Sequence, residues 1–126
     1  LTVPESQIDA VTAVSGSGPA YFFLFVEALV DAGVAAGLTR SVATDLAVQT
    51  MAGSATMLLD RRGAGRDGSA ARPDTTAAEL RALVTSPGGT TAAGLRELER
   101  GGLRAAVAAA VDAAKTRSEQ LGITTE

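Results

Sequence analysis

Residues 15–37 read SGSGPAYFFLFVEALVDAGVAAG, and this stretch decides the fold. Ser17-Gly18-Pro19 has the chemistry of a helix start, with serine at the cap and a proline whose missing N–H is harmless in the first turn. Gly37 suits the left-handed position that closes a helix, so about five turns should lie between. Tyr21, Phe22, Phe23 and Phe25 are every aromatic residue in the chain. Gathered within five positions, they cover more than one helical face. Such a helix has to be buried on several sides, and a second subunit is one way to do it.

Working outward, Pro4 followed by Ile8, Val11 and Val14 suggests a short first helix ending near Ser15-Gly16, or a linker from an upstream domain. Thr39 caps a third helix carrying Val42, Leu46, Gln49, Gly53, Thr56 and Leu59 to about Asp60. Residues 61–74 shift to Arg, Gly, Asp, Ser and Pro, which predicts an exposed, flexible loop. Arg61, Arg62, Arg66 and Arg72 could meet a phosphate, but Asp60, Asp67 and Asp74 among them favour a solvated segment. Thr76-Ala77-Ala78-Glu79 fits a capping box for a helix through Leu80, Leu83 and Val84 that stops before Ser86-Pro87. A fifth helix runs from Thr91 to about Arg100, where Gly101-Gly102 breaks it. A last one runs from Leu103 to Gln120, with Leu103, Val107, Val111, Ala114 and Leu121 along one side, and Gly122 follows it. No strand-like alternation occurs. The expected fold class is all-α, a helical bundle of five to six helices in an intertwined dimer.

Composition narrows the chemistry. A chain of 126 residues, 46% hydrophobic but 3% aromatic, fills its core with Ala, Val and Leu, which favours closely approaching helices. Net charge is −3 and the pI about 4.9, so nucleic acid is not an expected partner. Histidine and cysteine are absent, which removes imidazole bases, thiol nucleophiles and the usual zinc sets; no metal site is expected. Glu27 and Asp31 interrupt the most hydrophobic segment, so no membrane span is expected either. The chain opens on Leu1 with no leader-like pattern, as a piece of a longer cytoplasmic polypeptide would.

Residues 85–102 read TSPGGTTAAGLRELERGG. Gly88 and Gly89 leave no side chain in the way of a ligand approaching their N–H groups, and the following helix has unpaired N–H groups and a dipole that favours an anion. The competing reading is a tight Ser86-Pro87-Gly88-Gly89 turn with Thr90 as helix cap and no ligand. A P-loop is excluded, because GxxxxGK[ST] is absent and the single lysine is Lys115.

The two glycine motifs together change the balance. Ala10-Val11-Thr12-Ala13-Val14-Ser15-Gly16-Ser17-Gly18-Pro19-Ala20-Tyr21, Glu27-Ala28-Leu29 with Asp31-Ala32-Gly33-Val34, Leu83-Val84-Thr85-Ser86-Pro87-Gly88-Gly89-Thr90-Thr91 with Gly94-Leu95, and Leu98-Glu99 with Gly101-Gly102 stand here in one order. In that order they resemble the C-terminal dimerisation domain of pyrroline-5-carboxylate reductase. The resemblance spans nearly the whole chain, residues 1–126. It implies a helical dimerisation and substrate-binding domain that follows a Rossmann domain binding NADPH or NADH. This chain has no GxGxxG after a strand, so the Rossmann domain is absent from it and the piece alone should be catalytically silent.

The resemblance further implies reduction of 1-pyrroline-5-carboxylate to L-proline, the last step of proline biosynthesis, by hydride transfer to the imine carbon. Carried over by motif position, the Ser86 hydroxyl and the N–H groups of Gly88, Gly89 and Thr90 hold the substrate carboxylate. Thr91, the catalytic candidate, places a hydroxyl near the substrate nitrogen as hydrogen-bond partner or proton relay; a free threonine hydroxyl is a poor acid, which favours orientation over proton donation and water as a proton source. SGSGPAY has two readings, a place beside the nicotinamide or a tight bend. The resemblance also implies a homodimer and larger assemblies of dimers up to a decamer. Two departures stand out: Thr76-Ala77 replaces an acidic turn with His-Pro, and the 61–74 segment is long for the family. An acidic residue there reaches the substrate amine in the family; Asp74 is nearest, and a plain helix cap is its simpler role. A contrasting reading keeps the fold as a self-association module without ligand.

Overall fold

The computed structural model describes residues 1–64 and 75–123. Among them the chain is helical and contains no strand, as the all-α reading expects. A 3-10 turn at Glu5–Gln7 leads into α1 (Ile8–Val11), a wide π-type turn at Thr12–Gly16 and α2 (Gly18–Ala35). Then come α3 (Arg40–Ala64), α4 (Thr76–Leu83), α5 (Thr90–Arg100) and α6 (Leu103–Ile123). The helices gather into two compact units, Leu1–Glu27 with Leu98–Glu126, and Ala28–Glu97.

In the first unit, α6 packs against α1 and the wide turn. Ala13 is completely buried, and the Ser118 hydroxyl donates to Asp9 Oδ1 at 2.6 Å, tying α6 to α1 across the length of the sequence. The middle of α6, with Val111, Ala114 and Ser118, is half-buried, while Leu103, Val107 and Leu121 at its ends are exposed. Gly102, at φ 79°, ends α5 and starts α6: its N–H donates to Glu99 O and its carbonyl accepts from Ala106. This is the break expected at Gly101-Gly102. The same α6 continues through Gly122 to Ile123, further than the expected stop at Gln120.

The first helical run ends at Gly16, as expected, but its last turn is widened. Ser17 N–H donates to Thr12 O at 2.9 Å, five residues back, where an α-helix would use Ala13 O. The Ser17 carbonyl then accepts Ala20 N–H and α2 begins at Gly18, beside a proline with no N–H to place.

In the second unit, α2 ends as its glycine predicts. Gly37, at φ 113°, donates to Val34 O while Leu38 donates to Gly33 O, the paired bonds of a Schellman motif. Thr39 Oγ1 accepts from Val42 N–H at 3.3 Å and caps α3. Gly33 is needed where α2 and α3 approach, since a Cβ there would lie 3.2 Å from the Ala43 side chain. Ala43 and Ala47 on α3, with Val30 and Leu80, are the buried apolar residues of this unit. The hydroxyls of Thr44, Ser54 and Thr56 donate to the carbonyls four residues back, so α3 presents them with their donors already satisfied.

Two more helix ends differ from expectation. Helix α3 runs to Ala64, so Arg61 and Arg62 belong to its last turn, where arginine suits the dipole. The remaining part of the expected loop, with Arg66, Arg72 and Asp74, lies outside the described residues. Helix α4 starts at Thr76 with Thr75 in the cap position, and the Thr75 hydroxyl donates to the Glu79 carboxylate at 2.7 Å instead of accepting a backbone N–H.

Burial of α2 on several sides is not achieved within one chain. Phe22 and Phe23 are each 64% exposed, and Leu24, Phe25 and Leu29 lie open as well. Contiguous apolar exposure of this kind marks a surface meant to be covered. The helical run Glu5–Ala35 is long and apolar enough to cross a membrane by length and composition, so the charges at Glu27 and Asp31 do not disqualify it as expected. Core helices of globular proteins meet the same criterion, and this run is interrupted by the wide turn.

Candidate functional site

Helix α4 delivers the chain to the Ser86–Thr91 motif. Val84 N–H donates to Leu80 O and Thr85 N–H to Ala82 O, while the Thr85 hydroxyl takes the Arg81 carbonyl at 2.5 Å. Leu80 is buried and anchors the helix; Pro87 then prevents it from continuing. Ser86 O accepts Gly89 N–H at 3.1 Å across Pro87-Gly88, and Gly88 sits at φ 69°. Proline second and a positive-φ glycine third are the requirements of a type II turn.

The two glycines serve different needs. Gly88 has open space around a would-be Cβ, so its conformation demands glycine. Gly89 lacks positive φ, but a Cβ there would stand 3.3 Å from Ser86 O, so close approach of backbone demands it.

Gly89 O accepts Ala93 N–H at 3.2 Å, the first bond of α5. Gly89 is therefore the cap, and Thr90 is the first helical residue, not the cap the turn reading expected. The N–H groups of Thr90, Thr91 and Ala92 have no backbone acceptor among the described residues. Ser86, Gly88, Thr90 and Thr91 are exposed, and the first turn of α5 holds no acid to compete for the site. Eleven residues of helix place the positive end of the dipole at these donors.

The structure thus brings Ser86, Gly88, Gly89, Thr90 and Thr91 into one turn and helix start. It changes one role: Gly89 N–H is consumed by the turn, and Ala92 N–H joins the open donors instead. Counting three free N–H groups from the cap would have found Ala92 had the cap been placed at Gly89. Residues 84–94 include no ionisable side chain, so the electrostatics of the site are those of the backbone. Among the described residues the one resolved pKa shift lies elsewhere, at Lys115, raised by its hydrogen bond to Glu119 and then by that carboxylate's charge. No described cluster of three acids could hold a metal ion.

At SGSGPAY the backbone makes the wide turn of Thr12–Gly16. Besides the wide turn, the Tyr21 hydroxyl donates to Ala13 O at 3.2 Å.

Comparison with known proteins identifies the family and the fold. The family model for pyrroline-5-carboxylate reductase dimerisation matches residues 5–121. The chain is 73% identical to a Mycobacterium tuberculosis protein called pyrroline-5-carboxylate reductase, over all of this chain and 44% of that protein. It is similar to a solved pyrroline-5-carboxylate reductase from Coxiella burnetii, with a TM-score of 0.81 and 40% identity over 95% of this chain and 40% of that one. It is also similar to a Plasmodium falciparum pyrroline carboxylate reductase solved with NADP bound, at TM-score 0.79 and 38% identity over 95% of this chain and 43% of that one. The chain spans less than half the length of these relatives. With an all-helical fold, a glycine turn that leaves open N–H groups at the head of α5, and a family model covering all but its ends, the chain belongs to the pyrroline-5-carboxylate reductase dimerisation family.

Proposed function

We propose that this chain is the dimerisation and substrate-binding part of a cytoplasmic pyrroline-5-carboxylate reductase that makes L-proline. The observation that supports it best is the Ser86–Ala92 geometry in a chain of that family. A carboxylate meeting the open N–H groups of Thr90, Thr91 and Ala92, with the Gly88 N–H and the Ser86 hydroxyl beside them, finds donors already oriented and needs no arginine or lysine. Gly89 contributes by having no side chain. Fixed there, the cyclic imine presents its ring nitrogen to the Thr91 hydroxyl, which orients it, while water supplies the proton. Positioning of this kind is the main catalytic task of the site.

The described residues contain no strand and hence no βαβ unit to cradle a dinucleotide, so the NADPH or NADH site belongs outside this chain. When bound, that cofactor supplies the hydride. The exposed aromatic face of α2 is the surface for a second copy, giving a homodimer; larger assemblies up to a decamer rest on family resemblance alone.

In the full-length polypeptide, oxidation of NADPH or NADH with 1-pyrroline-5-carboxylate should be observed, and Thr91→Val should lower kcat at least ~tenfold while the dimer persists. Near-wild-type kinetics would remove Thr91 from the mechanism. A folded, dimeric full-length protein with no oxidation would favour the self-association module.

A further inference from the structure

The chain around SGSGPAY contains a bond that a straight helix could not make. Tyr21 lies eight residues after Ala13, and eight residues of α-helix span ~12 Å, about twice the reach of a tyrosine side chain. Yet the Tyr21 hydroxyl reaches Ala13 O at 3.2 Å. The wide turn makes this possible and also makes it useful. Because Ser17 N–H goes to Thr12 O, Ala13 O loses the donor that an α-helix would give it. Ala13 is completely buried, so a carbonyl short of a donor there is costly. Tyr21 is itself half-buried and supplies one.

We propose that the Tyr21 hydroxyl is a latch: it stabilises the extra residue of the Thr12–Gly16 turn and thereby sets the direction in which α2 carries Phe22, Phe23 and Phe25 away from the α1–α6 pair. Without the latch the buried Ala13 carbonyl has no donor, so the wide turn opens more often, bares Ser17 N–H and lets the segment slip by one residue. A one-residue change of register turns the following helix by about 100°, so the aromatic side chains would emerge elsewhere. The consequence for assembly rests on the reading that this face of α2 meets a second copy; the latch itself does not.

The test is amide hydrogen exchange at single residues, with sedimentation, on the full-length protein and its Tyr21→Phe variant. In the wild type, Ser17 N–H should exchange as slowly as helical amides of α2 and far more slowly than Thr91 N–H. Tyr21→Phe should keep its helix content, raise Ser17 exchange roughly tenfold and weaken self-association, with α6 amides unchanged. A wild-type Ser17 that exchanges as fast as Thr91, or equal Ser17 exchange in both proteins, would overturn the latch. A monomeric wild type whose Ser17 responds to Tyr21→Phe would support the latch and overturn the dimer reading.

Discussion

The molecule has two glycine-rich helix starts, and they do opposite things with their backbone. At Ser86–Ala92 the turn uses one N–H, that of Gly89, and leaves those of Thr90, Thr91 and Ala92 open at the head of α5. At Thr12–Tyr21 the N–H of Ser17 is redirected five residues back and a buried carbonyl is given a tyrosine hydroxyl. One start leaves donors open, where we place the substrate carboxylate; the other satisfies its own groups ahead of an exposed aromatic face. Glycine content alone does not distinguish them. What distinguishes them is φ: Gly88 is left-handed, whereas Gly16 and Gly18 are not.

The largest expected effect tests the orienting role of the second start. Phe23→Glu puts a charge on the exposed aromatic face, and desolvating it in an interface should weaken self-association at least ~100-fold. Sedimentation equilibrium measures this, and unchanged association would place the interface elsewhere. The next pair sets the two starts against each other directly. Gly88→Ala forces a side chain into left-handed backbone, at roughly 1–2 kcal/mol, and should lower kcat/KM for pyrroline-5-carboxylate about tenfold as the turn opens. Gly18→Ala meets no atom within 4 Å and needs no positive φ, so it should leave both melting temperature and kinetics near wild type. Equal losses in the two would mean that the distinction drawn from φ is wrong.

The smallest effect serves as a control remote from the anion site. Lys115 has its pKa raised by Glu119, so the pair's contribution is whole below the usual lysine range near ~10.4 and fades as pH climbs through the raised value. Both side chains are exposed, so Glu119→Gln should shift the melting temperature barely resolvably at neutral pH, and that difference should close as pH climbs past the raised lysine value. A large shift at pH 7 would show that α6 depends on this pair more than its exposure allows.

What could be read from the sequence was local. Gly37 and Thr39 end and restart helices through bonds to residues three to five positions away, and both were visible as residue types. The turn and helix start at Ser86–Thr91 were visible for the same reason, whereas the donor set Gly88, Gly89 and Thr90 came from the resemblance; the structure gives Gly89 N–H to Ser86 O and leaves those of Thr90, Thr91 and Ala92 open. The extent of α3 was not: Arg61 and Arg62 share their composition with a loop, but arginine has good helix propensity and the ladder continues through them. The wide turn was hidden because it depends on Ala13 being buried against a helix a hundred residues later and on a hydroxyl from Tyr21. Periodicity within a window cannot report either.

We place the carboxylate at the backbone donors of the head of α5, and not at the second glycine motif. Titrating L-proline into the isotope-labelled full-length protein and following backbone amide resonances tests this most directly. The N–H groups of Thr90, Thr91 and Ala92 should shift together and saturably, with Gly89 N–H moving less and Ser17 N–H unmoved; no shift at α5, or the largest shift at Ser17, would contradict this placement.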